Sequence, residues 1–100
     1  MSTPQLTKNS DENRYEMHVD GSRIGFIDFL RDGDVVDLTH TEVDPEHGGN
    51  GYAAQLTVFA LEDIRAADLA LTPTCPYIAR YIERHPDFAD LVASRRTASD

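Results

Sequence analysis

The chain has 100 residues, 40% of them hydrophobic, which suits one domain with a single modest core. Eighteen acidic residues against nine basic ones give a net charge of −9. Such a field repels nucleic acid and anionic membranes and attracts cations such as amines, although it also suits a general solubility or salt adaptation.

Signals for a membrane or an oxidising compartment are absent from the sequence. No apolar run approaches the ~18 residues of a membrane span, and the polar residues 1–13 lack the apolar core of a signal peptide. Cys75 is the only cysteine, so an internal disulfide is excluded. We therefore expect a cytoplasmic protein that binds neither membranes nor nucleic acid.

The start of the chain predicts a polar arm followed by a strand. Residues 1–13 contain only Leu6 as a sizeable apolar group, and we expect them to form a flexible arm. Residues 14–19 then alternate between apolar and polar side chains, which is typical of a half-buried strand.

Two Asp-Gly turns predict that this strand continues into an antiparallel meander. Asp20-Gly21 and Asp32-Gly33 are hairpin signals, and they bound a strand over residues 23–30 and another over residues 35–43. The middle strand is apolar on both faces and is therefore predicted to be central.

The third strand becomes polar near its end. Residues two apart share a face, so His40 and Glu42 are expected to continue the side of Val36 and Leu38. Asp44-Pro45 ends the strand, because proline removes a ladder donor.

The second half of the chain predicts two helices separated by a short strand. Apolar residues recur every three or four positions from Ala53 to Ile64, which indicates an amphipathic helix over residues 51–67. A brief strand over residues 69–71 follows, and then Pro76 begins a helix that Pro86 stops.

The predicted fold class is α+β. It comprises a three-stranded antiparallel meander, a central helix after a glycine-rich turn, a short further strand and a C-terminal helix. We expect a single domain over residues 14–93 and a flexible tail over residues 94–100.

The glycine-rich turn before the first helix predicts an anion site. Gly48, Gly49 and Gly51 allow close approach of the backbone to a ligand, and the helix that they open adds unpaired N–H groups and roughly half a positive charge. A pyrophosphate suits such a site, and a merely flexible loop is the alternative. No Lys-Ser or Lys-Thr follows, which excludes a Walker A loop, and the meander argues against a Rossmann fingerprint.

Two separated blocks of the chain resemble a known superfamily. The run Gly48-Gly49-Asn50-Gly51-Tyr52-Ala53 resembles, at its fourth and sixth positions, the Q/R-x-x-G-x-G/A acetyl-coenzyme A signature of the GNAT N-acetyltransferases. The blocks His40 to Val43 and Cys75 to Ile82, with Arg84-His85-Pro86 and Leu91-Val92, are similar to a small single-domain GNAT-like family. The resemblance covers residues 14–92 and implies a GNAT-like fold.

This resemblance implies a coenzyme site around the glycine turn. The residues expected to hold the pyrophosphate, mostly through backbone N–H groups, are His47, Gly48, Gly49, Asn50, Gly51, Tyr52 and Ala53. The Val43 N–H is expected to hold the thioester carbonyl and stabilise its oxyanion. Gly48 departs from the usual arginine or glutamine, which weakens the expected binding. Arg80 and Arg84 share a helix face and are expected to hold the outer phosphates, unless they pair with acidic neighbours.

The candidate catalytic residues are Glu42, His40, Cys75 and Tyr81. Glu42 or His40 is expected to accept the ammonium proton through a water, unless both are only solvated strand-end residues. In larger relatives a tyrosine on the last helix protonates the leaving thiolate, and that position falls on Ile82, beside Tyr81. Because an offset of one residue rotates a helical side chain by about 100°, the alternative is that Tyr81 belongs to the core.

Cys75 and the histidines complete the set of chemically interesting residues. Cys75 precedes a helix N-terminus, which lowers a thiol pKa, and the resemblance allows a transient acyl-cysteine there; a buried inert cysteine is the alternative. No H-x-x-x-H or C-x-x-C spacing is present, so no metal site is predicted.

The first functional hypothesis is acetyl transfer from acetyl-coenzyme A to a primary amine, on a small molecule or a protein, by direct attack in a ternary complex. The second is a non-catalytic module or sensor that binds coenzyme A or acyl-coenzyme A, which the departure at Gly48, the displaced tyrosine and the short chain favour. A third makes Cys75 a redox or acyl-carrying thiol. We expect a monomer or weak dimer.

Overall fold

The fold is a five-stranded sheet with two helices, seen in a computed structural model that describes residues 3–47 and 51–93. The strands are β1 (Gln5–Asn9), β2 (Arg14–Val19), β3 (Ser22–Asp32), β4 (Val35–Val43) and β5 (Ala70–Thr72). The helices are α1 (Tyr52–Ala66) and α2 (Pro76–Arg84), with short 3-10 turns at Pro45–His47 and Pro86–Leu91.

The strands lie in the order β1-β2-β3-β4-β5. The first four are antiparallel to one another, whereas β5 runs parallel to β4 because α1 connects them as a crossover. The predicted α+β class is confirmed, with its meander, central helix, short further strand and C-terminal helix.

Strand β1 corrects the expectation that residues 1–13 form a flexible arm. It pairs with β2 along its whole length, from Gln5 opposite His18 to Asn9 opposite Arg14. Lys8 adds an ion pair to α1, with its Nζ 3.0 Å from the Asp63 carboxylate. Hydrophobic periodicity misses this strand because it is an edge strand held mainly by backbone pairing, with Leu6 as its one apolar residue packed on the core. Residues 1–2 and the predicted tail, 94–100, lie outside the described residues.

The core lies between one face of the sheet and the two helices. Its largest fully buried hydrophobic residues are Tyr15, Met17, Ile27, Leu38, Leu56, Leu61, Ile64, Leu71 and Ile78. The opposite face, called the open face here, carries Arg14, Glu16, Phe26, Asp28, His40 and Glu42. Neither described helix is long and apolar enough to cross a bilayer.

A β-bulge in β4 changes which side chains share a face. The pairing with β3 shifts so that Phe29 lies opposite Leu38 but Asp28 lies opposite His40, which leaves Thr39 as the extra residue. His40 and Glu42 therefore lie on the open face, and the expectation that they continue the side of Leu38 is wrong. Thr41 and Val43, opposite Ile27 and Gly25, occupy the helix-covered side instead.

Tyr15 links β2 to α1. Its side chain is buried, and its hydroxyl donates a hydrogen bond to Asp63 Oδ2 at 2.8 Å. Burial, and then the hydrogen bond and charge of Asp63, raise the pKa of Tyr15 far above its usual value. An unfolded tyrosine loses its proton near pH 10, so the stability that this raised pKa contributes is present below about pH 10 and is lost above it.

We expect Tyr15→Phe to lower the free energy of unfolding by about 1.5 kcal/mol at pH 7, because a hydrogen bond to a charged group is lost. We also expect the variant to lose less stability than the wild type above about pH 10. Urea unfolding at a series of pH values measures both effects. Tyr52→Phe, at the half-buried start of α1, keeps the ring and is the control, and it should behave as wild type. Unchanged unfolding of Tyr15→Phe throughout would contradict the prediction.

Candidate active site

Strands β4 and β5 diverge toward one end of the sheet. Their parallel pairing covers only Val35–Asp37 and Ala70–Thr72. Beyond it, the Cys75 N–H donates to the Leu38 carbonyl at 2.9 Å, and the chain then enters α2 while β4 continues to Val43. In the described part of the chain, the end of β4 is paired with β3 alone, which leaves a gap between β4 and α2.

The backbone amide of Val43 points into this gap. The N–H groups of successive residues in a strand point to opposite edges. The Asp44 N–H donates to the Ile24 carbonyl of β3 at 2.6 Å, so the Val43 N–H points away from β3. That is the orientation required of a donor to a thioester carbonyl bound in the gap.

Helix α1 begins at the mouth of the same gap. Its N-cap, Gly51, has φ +73°, a left-handed backbone conformation that residues other than glycine rarely adopt. The amides of the first turn have no partners inside the helix, and that turn contains no acidic residue although the chain has 18. The helix start is therefore a locally positive region of an acidic protein. The predicted contacts of Gly48, Gly49 and Asn50 lie outside the described residues.

A cavity of about 250 Å³, called the helix-side cavity, opens here. Its lining residues are Val43, His47, Gly51, Tyr52, Ala53, Ala54 and Tyr77. The cavity therefore brings together the predicted coenzyme residues from β4, from the 3-10 turn and from the start of α1. Its volume suits the thioester end of an acyl-coenzyme rather than the whole molecule.

Tyr77 is a residue of this cavity that the sequence-based prediction missed. The residue is 39% exposed, and its hydroxyl lies near Thr57, a buried residue of α1. Burial, and then the neighbouring Tyr81, raise the pKa of Tyr77, whereas the Thr57 contact lowers it less. Tyr77 therefore carries its proton at neutral pH and can donate it into the cavity. Its position two residues after Cys75, in the block that resembles the family, was the available signal.

The other candidates on α2 do not line this cavity. Tyr81 stacks on His85, with ring centroids 4.0 Å apart and planes 15° apart. Arg80 and Arg84 are exposed, on the side of α2 away from the buried Ile78 and Ile82. The geometry therefore favours Tyr77 over Tyr81 as the residue nearest a bound thioester.

Cys75 lies where β4 and α2 meet. Its thiol is buried and donates to Thr41 Oγ1 at 3.4 Å. Burial raises the pKa of Cys75, but hydrogen bonds with the Thr41 hydroxyl and with backbone groups of Ile78, Tyr77 and Thr41 outweigh it, and the net pKa is lowered. The N-cap position at α2 explains this result, as expected for a thiol at a helix N-terminus.

A second cavity, of about 490 Å³, lies on the open face and is called the open-face cavity. Its lining residues are Arg23, Ile24, Gly25, Phe26, Glu42, Val43, Asp44 and Pro45. Val43 thus lines both cavities, which approach it from opposite faces of the sheet. Of the two predicted bases, Glu42 lines this cavity, and His40 lies beside it with Nε2 3.5 Å from Glu42 Oε1.

Gly25 allows the close packing at this point. A Cβ there would lie 3.1 Å from both the Glu42 carbonyl oxygen and Val43 Cγ2, and 3.6 Å from Leu56 of α1. The two 3.1 Å contacts are tighter than ordinary van der Waals packing, so a side chain would displace the end of β4 by a few tenths of an ångström. An isolated glycine within an apolar strand was the sequence signal for this close approach, and it was missed.

Similarity to known proteins agrees with this arrangement. Residues 14–91 match the model of the GCN5-related N-acetyl-transferase family. The chain is also 40% identical to Protein NATD1 of Homo sapiens and of Mus musculus over 52 residues, which are 52% of this chain. The matched stretch spans about half the length of those relatives, 46% and 47% respectively.

Two solved structures share the fold. A GCN5-like protein of Staphylococcus aureus, solved by NMR, has a TM-score of 0.72 and 21% identity, covering 92% of this chain and 90% of that one. N-acetylglutamate synthase of Neisseria gonorrhoeae, solved with coenzyme A and N-acetyl-glutamate, has a TM-score of 0.53 and 16% identity, covering 68% of this chain and 18% of that one. Because the family model matches most of the chain, this protein belongs to the GCN5-related N-acetyl-transferase family.

Proposed function

We propose that this protein transfers an acetyl group from acetyl-coenzyme A to a primary amine by direct attack in a ternary complex. The observation that carries the proposal is that Val43 lines two cavities on opposite faces of the sheet. The helix-side cavity offers amide donors and a helix N-terminus, whereas the open-face cavity offers carboxylates. An acyl-coenzyme and a cationic amine can therefore reach the same point from different sides.

The start of α1 would hold the pyrophosphate, with Gly48, Gly49 and Asn50 completing the turn. The acid-free first turn fits an anion, because a carboxylate there would repel it. Arg80 and Arg84 would hold the outer phosphates from α2, where both side chains are exposed.

The residues around Val43 supply the chemistry. Glu42, with His40 beside it, accepts a proton from the acceptor ammonium through a water. The amine nitrogen then forms a bond to the thioester carbon, and the Val43 N–H stabilises the oxyanion. As the C–S bond breaks, Tyr77 donates its proton to the sulfur and regains one from solvent. The nitrogen loses its second proton as the amide forms, so the whole reaction releases one proton.

The second candidate function is a non-catalytic module that binds acyl-coenzyme A. The exposure of the proposed bases favours it, since the side chains of His40 and Glu42 are 57% and 65% exposed and water competes for their protons. The single buried Cys75 fits a reducing cytoplasm under either function, and we propose a monomer or weak dimer there.

Two measurements separate these functions. Calorimetry with acetyl-coenzyme A should show binding, and a free-thiol assay over a panel of primary amines should show acceptor-dependent release of coenzyme A. Binding without release would favour the module. Absence of binding at millimolar acetyl-coenzyme A would overturn both.

Cys75→Ser tests whether the thiol carries the acetyl group. Under direct attack the thiol is not a nucleophile, so we expect kcat to stay within about threefold of wild type. Thr41→Val is the matched control, because it removes the partner of the thiol and keeps the sulfur. A loss of about 100-fold in Cys75→Ser alone, with an acetyl adduct on the wild-type protein in intact mass spectrometry, would replace direct attack by an acyl-cysteine route.

A further inference from the structure

The open-face cavity carries charges of opposite sign at its two sides. Glu42 and Asp44 supply carboxylates at the end of β4. Arg23 supplies a guanidinium from the start of β3, and its side chain is 43% exposed. Phe26 lies between them, since it pairs across the strands with Glu42 and its ring centroid is 5.2 Å from the Arg23 Cζ.

The guanidinium of Arg23 keeps hydrogen-bonding capacity for a ligand. It forms an ion pair with Glu16 at 3.6 Å, which is longer than a hydrogen bond. Glu16 is also approached by Arg14 at 3.8 Å and His18 at 3.6 Å, and it accepts a hydrogen bond from Asn9 at 3.2 Å. One carboxylate shared in this way cannot satisfy the five N–H donors of Arg23.

The arrangement discriminates among primary amines. A polyamine or aminoglycoside would bring several cations beside Arg23, where like charges repel. A simple alkylamine or a protein lysine would pair with the carboxylates but leave the guanidinium unused. A molecule that carries both an ammonium and a carboxylate matches both sides of the cavity.

We infer that the acceptor is an amino acid, with its ammonium directed to Glu42 and Asp44 near Val43 and its carboxylate bound by Arg23. The inference rests on the proposed function and narrows it to one class of substrate. Phe26 supplies the apolar surface for the carbon skeleton, and the cavity volume of about 490 Å³ accommodates a free amino acid.

The test compares primary amines with and without a free carboxylate. Coenzyme A release is measured with L-phenylalanine, its methyl ester, phenethylamine and spermidine. An ω-amino acid is added to measure how far apart the ammonium and the carboxylate of the acceptor must be. We expect kcat/KM for an α- or ω-amino acid to exceed that for the ester, phenethylamine and spermidine by about tenfold or more, since a charged hydrogen bond is lost in all three. A higher kcat/KM for phenethylamine or spermidine would overturn the inference.

Arg23→Gln is the matching change in the protein. It should lower kcat/KM for the amino acid about tenfold, mainly through KM, and leave the ester within about twofold. Arg31→Gln, at the other end of β3, is the control and should preserve the preference. Arg23→Lys keeps the positive charge beside Glu16 and should keep part of the preference for the amino acid over its ester. It therefore separates loss of the carboxylate contact from a folding defect caused by leaving Glu16 without this partner.

The outcomes separate this inference from the proposed function. If acetyl-coenzyme A does not bind the wild type, the proposed function fails. If it binds and amines are acetylated, but Arg23→Gln weakens the acid and the ester equally, only the amino acid assignment fails. An unchanged affinity of Arg23→Gln for acetyl-coenzyme A in calorimetry shows that the variant is folded.

Discussion

Gly51→Val should raise the Kd for acetyl-coenzyme A by about 100-fold or more. Gly51 has φ +73°, and a β-branched residue strongly disfavours that conformation, so the first turn of α1 must reorient. Its amide donors then no longer point to one place, and a bound pyrophosphate loses several charge-assisted hydrogen bonds. Calorimetric titration with acetyl-coenzyme A measures the effect.

Gly33→Val is the matched control for this change. Gly33 has φ +61° in the turn between β3 and β4, and at both glycines an added Cβ would meet no other atom within 4 Å. Both variants should therefore lose a similar stability, about 1–2 kcal/mol, from backbone strain alone. Only the change at Gly51 should affect binding. Equal affinities in the two variants would show that the start of α1 is not the coenzyme site.

Tyr77→Phe should lower kcat about 100-fold with little change in the Kd for acetyl-coenzyme A. The tyrosine lines the helix-side cavity, and its pKa, raised by burial, keeps the hydroxyl protonated at neutral pH. Phenylalanine preserves the ring and its packing, so the loss of kcat measures the contribution of the hydroxyl proton alone. Steady-state release of coenzyme A, with calorimetry for binding, separates the two quantities.

Tyr81→Phe is the control one helical turn away. Its ring is stacked on His85, and removal of its hydroxyl should leave kcat within about threefold of wild type. If Tyr81→Phe shows the larger loss, the proton donor is Tyr81, as the family pattern in the sequence suggested. If neither variant is impaired, the thiolate leaves without a tyrosine donor.

The meander and both helices could be predicted because their signals are local. Asp20-Gly21 and Asp32-Gly33 mark the turns, and Pro76 and Pro86 bound α2 within one residue. Strand β1 could not be found in the same way, because it is an edge strand with one apolar residue, Leu6, and its backbone pairing with β2 leaves no mark in the hydrophobic pattern.

The sequence indicated which part of the chain forms the candidate site, but not on which face of the sheet each side chain lies. The glycine turn and Val43 were identified from the sequence, whereas Gly25 and Tyr77 depend on how β3, α1 and α2 pack together. The contact between Cys75 and Thr41 joins residues 34 positions apart and has no local signal. Alternation along β4 also misplaced His40 and Glu42, since a register shift leaves no mark in a hydrophobic pattern.

The extra residue at Thr39 determines which part of β4 is sensitive to a change in length. Its hydroxyl makes one hydrogen bond, 3.3 Å to the Asp28 carbonyl, so another residue can take its place at small cost. Deletion of Thr39 would leave His40 next to Leu38 and still opposite Asp28, so Glu42 would stay on the open face and Val43 on the helix-covered side. A deletion of one residue after the bulge, at Thr41, would instead move Glu42 to the helix-covered side and Val43 to the open face. Relatives that keep this chemistry should therefore tolerate a gap at position 39 but not at position 41.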